Sequence, residues 1–410
     1  MTVTRPAKGF FVTLAALYFA QALPVSMLGK AMPALAREAG LSTQWIGFLA
    51  LPAIPWALKF IWAPWVDRWG SGRPNHRKRW VQVCLLAVIA VLGVVAMFPR
   101  EWLLGPGFVV LLGLLFLLNF FSATQDIATD GLATRLLTPE WRGLGNSIQV
   151  NGYKIGMMAG SSALLILVDL WGWHSTVALV IAAMMLVLVQ VTRFKEPAEP
   201  VHQQQREPVS LSWWWRELTR FWLRPGVLSW LLILLFYKVG DSFGTRMINP
   251  YLVDSGWSLS AIGTLDLFAS LMGLAGAALA GLIMVRVHRR RVLVAFALLQ
   301  ALSFVAWAWL ASTGNPVPAT QVWLVALFEQ FADGLSTVAL FVVMMDYCRS
   351  SHEGSDYTMQ ASVRLFAAGL FTLVSGFSAA WMGYALHFLL AGLLSAAIIP
   401  VILIWKPPAS

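Results

Sequence analysis

Two acidic side chains stand inside an apolar run in the segment QDIATDG. Asp126 and Asp130 are four residues apart, so a helix would place both carboxyl groups on one face, with Gln125 beside them. An ionisable group inside a membrane costs about 2.5–3.5 kcal/mol on insertion scales, so such groups pair with one another or serve a function. Because burial disfavours the charged form of a carboxyl group, this pair could exchange a proton or bind a charged substrate.

Further polar residues lie inside other apolar runs, again at helical spacing. Lys238 and Asp241 are three residues apart, and Glu329 and Asp333 are four apart. Two interpretations compete: buried ion pairs that fix helix register, or groups that line a hydrated chamber and contact a substrate or a proton. The full set of candidates for substrate binding and proton coupling is Tyr18, Gln21, Asp126, Asp130, Gln149, Asn151, Lys154, Tyr237, Lys238, Asp241, Asp266, Glu329, Asp333, Gln360 and Arg364.

Within this set we favour Asp126 and Asp130 facing Lys154, and next the pair Lys238 and Asp241. One carboxyl group of the first pair would take up a proton outside and release it inside. The sequence has no G-x-x-x-x-G-K-[ST] loop for ATP phosphates, so energy would come from a gradient. We therefore predict proton symport that uses one of the two aspartates.

A charged loop follows the second apolar run. In KFIWAPWVDRWG, Lys59 lies close to the helix end, and we expect its side chain to extend toward the membrane boundary. Asp67 is placed to pair with cations or to cap helix ends, and Arg68 begins a basic loop. We predict that Lys59, Asp67 and Arg68 form a cytoplasmic gate. The second half offers only MVRVHRRR at this position, without the acid.

The composition indicates what kind of chain must position these residues. Of 410 residues, 59% are hydrophobic and only 12% are charged, whereas soluble proteins average about 25% charged residues. The net charge of +10 comes from short loops between apolar runs, so nucleic acid is not an expected partner. Cys84 and Cys348 show no disulfide or zinc spacing, and neither a metal nor a cofactor is expected.

Apolar runs long enough to cross a bilayer recur along the whole chain and predict an all-α membrane protein. The first run could be a signal peptide, but no small-residue cleavage site follows it, and we expect it to be retained. Most Lys and Arg residues fall in loops on one side, which predicts that both termini are cytoplasmic. The twelve predicted spans, numbered in chain order, are 9–30, 43–65, 80–98, 106–128, 144–168, 175–193, 227–249, 260–285, 292–312, 320–345, 357–379 and 382–404.

The longest connection divides the spans into two six-helix halves, residues 1–193 and 226–410, joined by a linker at 194–225 that contains an interfacial amphipathic helix. The halves look like repeats, because EAGLSTQWIGFL before span two matches DSGWSLSAIGTL before span eight. Tyr18 likewise has a counterpart in Tyr237. Duplicated halves indicate a transporter built around a central axis.

The loop DRWGSGRPNHRKR resembles the signature loop of the major facilitator superfamily. The segments 59–69, 124–156 and 237–263 resemble one branch of it, which contains AmpG-type muropeptide permeases, acetyl-CoA transporters and single-subunit importers for rhizobactin- and pyochelin-type siderophores. Membership would imply twelve helices in two pseudo-symmetric halves and alternating access around a midplane site. It would also imply a bacterial inner-membrane location.

Within that branch we expect a siderophore importer, with a muropeptide permease as the alternative. The argument rests on size, since the muropeptide permeases are typically longer, and on 21 Trp and 24 Phe that could form walls for an aromatic iron chelate. An exporter of the same fold and a sensor that binds without transport remain alternatives. No HExxH motif is present, and we do not expect an enzyme. The expected partners are the small-molecule substrate, protons and the bilayer, with the chain a monomer.

Overall fold

The structure is a computed structural model of the chain. It describes residues 8–27, 31–41, 45, 48–71, 73–197, 211–224, 226–314, 317–350 and 352–407. Over these residues the chain is helical, without β-strands. The parts of the predictions that fall on 28–30, 42–44, 46–47, 198–210 and 225, including part of the linker and part of the first repeat motif, lie outside the described residues.

The long helices coincide with the apolar runs of the sequence. Their bounds are Lys8–Ser26, His76–Ala96, Phe108–Leu136, Arg142–Met158 with Leu164–Trp171, Trp173–Arg193, Val227–Phe236, Leu259–Arg286, Arg289–Ser312, Ala319–Asp346 and Glu353–Ala397. Shorter helices are Met32–Glu38, Ile54–Leu58, Ala63–Arg68, Arg100–Leu103, Leu211–Arg220, Val239–Gly244, Ile248–Asp254 and Ile399–Ile404. The helix Leu211–Arg220 falls in the predicted linker.

These helices account for the twelve predicted spans. Ten stretches in the described residues are long and apolar enough to cross a membrane, and the last of them covers 52 residues, Glu353–Ile404. At Gly383 the backbone turns to a φ of 76°, which ends span eleven and starts span twelve. Span two is the shorter apolar stretch Leu51–Ile61. The prediction of an all-α membrane protein with twelve transmembrane helices is therefore confirmed.

Spans two and seven are interrupted by 3-10 turns, and span five contains a π-helical segment at Ala159–Ala163. Span two combines a 3-10 turn at Phe48–Ala53, the helix Ile54–Leu58 and a second 3-10 turn at Lys59–Ile61. Pro52 and Pro55 fall in this stretch, and proline removes a helix hydrogen bond. Span seven is interrupted at Lys238, whose φ and ψ are −109° and 11°. Each interruption lies beside a buried lysine.

The chain divides into two compact units. The first contains Met1–Leu137, Asn151–Glu217 and Cys348–Ser362. The second contains Thr138–Val150, Leu218–Tyr347 and Val363–Ser410. The units follow the sequence halves except that the start of span five belongs to the second unit and the start of span eleven to the first.

Glycines bring span five close to span one in the first unit. Gly152, Gly156 and Gly160 recur every four residues, and a Cβ on any of them would overlap span-one atoms, among them the carbonyl oxygens of residues 15, 19 and 23. Small residues at this spacing let two membrane helices approach closely. The contact positions the polar residues of both spans beside each other.

The outer surface carries large apolar side chains. Trp69, Phe377 and Trp381 are 75%, 78% and 85% exposed. Bulky apolar side chains on the outside fit a hydrocarbon environment rather than water. A good part of the tryptophan content therefore contacts lipid instead of lining a substrate chamber.

Candidate functional site

The central contact of the first unit is an ion pair between Lys59 and Asp126. The Lys59 ammonium donates to Asp126 Oδ2, and the two residues are 5% and 7% exposed. The ammonium also lies 5.3 Å from the centre of the Trp56 ring. Our expectation that Lys59 extends to the membrane boundary is wrong, because its 3-10 turn directs it to span four, where a buried cation finds a carboxylate.

One helix turn from Asp126, Asp130 accepts a hydrogen bond from Tyr18. The Tyr18 hydroxyl lies 2.7 Å from Asp130 Oδ1, and both residues are almost fully buried. The sequence placed Tyr18 and Asp130 in the candidate set without pairing them. The structure joins spans one and four through this bond.

Unpaired amide atoms surround these acids. Gln21, one turn beyond Tyr18, is fully buried, and neither of its side-chain polar atoms has a hydrogen-bond partner. The same holds for Gln125 Nε2 and Asn151 Oδ1. Buried polar groups are normally hydrogen-bonded, so these atoms are available to a polar ligand. We name Tyr18, Gln21, Trp56, Lys59, Gln125, Asp126, Asp130 and Asn151 the first-unit polar site.

Two other candidates lie on span five. Lys154 is half-buried and follows Asn151 by three residues in the same helix. Gln149 is buried but belongs to the second unit. The proposed opposition of Lys154 to the helix-four acids stays a prediction, and the structure gives Asp126 a different cation, Lys59.

A second charged cluster lies in the second unit. The Lys238 ammonium lies 2.7 Å from Asp333 Oδ1, 3.1 Å from Asp241 Oδ2 and 3.0 Å from Ser336 Oγ. The sequence paired Lys238 with Asp241 by spacing, and the structure adds Asp333 from span ten. We name Lys238, Asp241, Asp333 and Ser336 the Lys238 cluster.

Glu329 is one turn before Asp333 and is only 2% exposed. Its carboxylate oxygens accept hydrogen bonds from Thr245 Oγ1 and from Gln330 Nε2, each at 3.0 Å. Tyr237, by contrast, donates to the backbone carbonyl of Leu293 at 3.2 Å. The repeat partners Tyr18 and Tyr237 thus make different contacts.

Three candidates lie apart from these groups. Asp266 is exposed and accepts a hydrogen bond from Asn249 at 3.1 Å. Gln360 belongs to the first unit, where its amide donates to the backbone carbonyl of Asp356 at 3.1 Å. Arg364 lies 5.3 Å from the centre of the Phe341 ring. These hydrogen bonds of Asp266 and Gln360 go to groups outside the first-unit polar site and the Lys238 cluster, and the part of both residues in a chamber stays a prediction.

Asp67 holds a buried cluster at the start of span eleven, within the first unit. Asp67 Oδ1 accepts from Arg77 Nη1 at 2.6 Å, and Oδ2 accepts from the backbone N–H and hydroxyl of Ser355 at 2.6 and 2.7 Å. Arg77 Nη2 reaches Glu353 Oε2 at 2.7 Å. A carboxylate on the first N–H groups of a helix is favourable because the helix dipole is positive there. We name Asp67, Arg77, Glu353 and Ser355 the Asp67 cluster.

Sequence reasoning included Asp67 but missed Arg77, which is 1% exposed, and assigned Arg68, which is half-buried. Arg77 is one of five basic residues in the same loop, and their types alone do not indicate which of them is buried. No signal in the sequence distinguishes Arg77 from its neighbours; in the structure, Gly131 leaves space for it, because a Cβ there would overlap the Arg77 guanidinium group.

The second unit has a corresponding cluster. Asp346 Oδ1 accepts from Arg142 Nη1 at 2.6 Å, and Oδ2 accepts from Arg289 Nε at 2.9 Å. Arg289 also donates to the carbonyl of Pro139 at 3.0 Å. The loop MVRVHRRR has no acid of its own, as the sequence indicated, but the end of span ten supplies one.

A surface groove of about 650 Å³ in the second unit has a different character. Phe243, Phe371, Phe377 and Trp381 are among its lining residues, and none of the predicted site residues lines it. Its walls are apolar, so it suits hydrocarbon rather than a charged solute.

Comparison with known proteins adds the family context. The family profile described as Major Facilitator Superfamily matches residues 14–372. The anhydromuropeptide permease of Escherichia coli K12 is 27% identical over 84% of this chain and 69% of that protein. A transporter named AmpG 4 of Rickettsia conorii is 23% identical over 90% of this chain and 89% of that protein. The structure of the E. coli fucose:proton symporter superposes with a TM-score of 0.74 at 14% identity, covering 98% of this chain and 100% of that chain.

Proposed function

The chain belongs to the major facilitator superfamily, and from that premise we propose that it imports anhydromuropeptides, amino sugars that carry a short peptide, across the bacterial cytoplasmic membrane. The chain is a multi-pass membrane transporter, and its relatives are transporters rather than enzymes. The observation that carries the proposed substrate is the 27% identity to the anhydromuropeptide permease over 84% of this chain. In this proposal both termini are cytoplasmic.

From the sequence we expected a siderophore importer first and a muropeptide permease as the alternative; we now propose the alternative. The siderophore reading depended on chain length and on tryptophan content. Length does not separate the groups, because the Rickettsia relative named AmpG 4 aligns over 89% of its own length. Tryptophan content does not separate them either, because residues such as Trp69 and Trp381 face outward. The relatives support the muropeptide alternative better.

The chemistry of the first-unit polar site supports the same substrate class. Its unpaired amide atoms at Gln21, Gln125 and Asn151 match the hydroxyl, N-acetyl and peptide groups of an amino-sugar peptide. Lys59 offers a cation for a peptide carboxylate. The Trp56 indole, whose N–H donates to Asn119 at 2.9 Å, offers an aromatic face. A siderophore with an enclosed metal would use fewer of these donors.

Transport in this proposal follows alternating access, with the Asp67 cluster and its counterpart around Asp346 as the cytoplasmic gate. Asp67 and Arg77 hold the first residues of span eleven by three short hydrogen bonds, one to Glu353 and two to Ser355. Opening of the cytoplasmic side would require these bonds to break. We no longer assign Lys59 to the gate; because it pairs with Asp126, we assign it to the substrate site. In this proposal import is coupled to protons, because the sequence has no G-x-x-x-x-G-K-[ST] loop for ATP and carries buried acids that could exchange a proton.

The test is uptake into proteoliposomes of purified protein. We expect labelled anhydromuropeptide to accumulate and an iron-loaded siderophore not to. Asp130→Asn and Lys154→Ala should abolish uptake while membrane expression stays intact. Siderophore accumulation without muropeptide uptake would overturn the substrate assignment, and normal uptake by both variants would remove this site from the proposal.

A further inference from the structure

The two candidate charged sites differ in how their carboxyl groups are neutralised. In the first unit, Asp126 is paired with Lys59, whereas Asp130 accepts a hydrogen bond from the neutral Tyr18 hydroxyl. In the second unit, Lys238 is shared by Asp241 and Asp333. Glu329 has no ion pair among the described residues.

The surroundings of Glu329 consist of neutral donors. Thr245 Oγ1 and Gln330 Nε2 each donate to one carboxylate oxygen at 3.0 Å, and the residue is 98% enclosed. The charged groups that face it are Asp241 on span seven and Asp333 on span ten, with the Lys238 ammonium bound to both. Enclosed carboxyl groups without a cation are usually neutral, because a lone charge in a low-dielectric interior is costly.

Thr245, which donates to Glu329, lies in a segment of 3-10 backbone. It begins the 3-10 turn Thr245–Met247, which follows the short helix Val239–Gly244 and the break at Lys238. A 3-10 stretch inside a long helix often marks a hinge. Rearrangement of span seven would therefore change both the hydrogen bonding of Glu329 and the position of Lys238 relative to it.

From this geometry we infer that Glu329, whose donor Thr245 lies on the interrupted span seven, is the carboxyl group that carries the coupling proton. The proton binds to a carboxylate oxygen when the site is enclosed; it leaves to water when span seven rearranges and water reaches the carboxyl group, and approach of the Lys238 ammonium stabilises the carboxylate that remains. This assignment rests on the proposed function, since it names the proton site of that transporter. It differs from our sequence-based prediction that a helix-four aspartate carries the proton, and the transport and infrared tests distinguish the two.

The transport test compares two reactions in proteoliposomes. Accumulation of anhydromuropeptide driven by a pH difference requires release of the proton, whereas exchange of labelled for unlabelled substrate does not. With one proton per substrate, a difference of one pH unit supports up to about tenfold accumulation. We expect Glu329→Gln to reduce this to no accumulation while exchange continues. Glu101→Gln makes the same change at a carboxyl group that is 77% exposed, and should accumulate normally. Full accumulation by Glu329→Gln would overturn the inference.

A second measurement needs no substrate, so it separates this inference from the proposed function. Infrared difference spectra of the purified protein on changing pH should show the C=O stretch of a protonated carboxyl group. We expect this band to be absent in Glu329→Gln, shifted in Glu329→Asp and unchanged in Glu101→Gln. An unchanged band in Glu329→Gln refutes the assignment. Should that variant not fold, an unchanged band in Glu329→Asp refutes it instead. A chain that shows the band but imports no muropeptide would refute the substrate alone.

Discussion

Lys59 and Asp126 are enclosed so completely that they can be tested as one unit. Their side chains are 7% and 11% exposed. Removing one partner of a buried ion pair costs about 3–5 kcal/mol, because the remaining charge loses its compensation. Replacing both by apolar residues of similar volume is often neutral or stabilises by about 1–4 kcal/mol. We therefore expect Asp126→Leu and Lys59→Met each to be strongly destabilised, and the double variant to recover most of the loss.

The assay is thermal unfolding in detergent followed by tryptophan fluorescence, arranged as a double-mutant cycle. We expect a coupling energy of about 3 kcal/mol or more, given the cost of one uncompensated charge. The matched control is the first-unit pair Glu38 and Arg100, whose side chains are 64% and 29% exposed. An exposed pair of this kind contributes about 0–1 kcal/mol. A coupling below about 0.5 kcal/mol for Lys59 and Asp126, the range of independent sites, would refute the reasoning.

Uptake by the same variants separates packing from binding. If the pair served only to hold spans two and four together, the stable double variant would transport normally. If the two side chains contact substrate, the double variant should be stable and inactive. We expect the double variant to be stable and inactive. Active transport by the double variant would show that the pair has only a structural role.

Three further predictions follow from the gate, from close packing and from coupling. In Asp67→Asn the buried Arg77 loses one of its two carboxylate partners and keeps Glu353, at a cost of up to about 3–5 kcal/mol, so alkylation of the half-buried Cys348 should rise by about tenfold or more; unchanged labelling would count against the gate. In Gly131→Ala the added methyl group overlaps the Arg77 guanidinium group, so we expect a destabilisation of about 1–3 kcal/mol and a lower melting temperature. Gly113→Ala on the same helix meets open space and should leave the melting temperature unchanged. Equal effects of the two substitutions would contradict the proposed fit of Arg77 against Gly131. A protonophore should abolish accumulation of labelled anhydromuropeptide in cells, and insensitive uptake would exclude proton coupling.

The sequence predicted well what depends on local composition. Apolar runs of membrane length identified the spans, and the helix bounds agree within a few residues for most of them, as for His76–Ala96 against a predicted 80–98. Spacing along one helix also predicted the pairing of Lys238 with Asp241. Such features arise within a single element, so the local sequence is sufficient to indicate them.

Pairings between distant elements could not be read in this way. Lys59 and Asp126 are 67 residues apart, and Arg77 and Glu353 are 276 apart. A 3-10 turn at Lys59 and a glycine at Gly131 decide these contacts by turning one side chain and leaving room for another. Neither effect is visible in the hydrophobic pattern, which records only whether a residue is apolar.

What the sequence determined by itself is a chain of membrane helices that carries costly charges at defined depths, because hydrocarbon admits few structures and few charged groups. Only the tertiary structure decided which cation or neutral donor each buried acid is paired with. Every buried acid needs a donor, but several helices can offer one. Packing selects among them, and in doing so it leaves Glu329 with neutral partners and Lys59 with an acid.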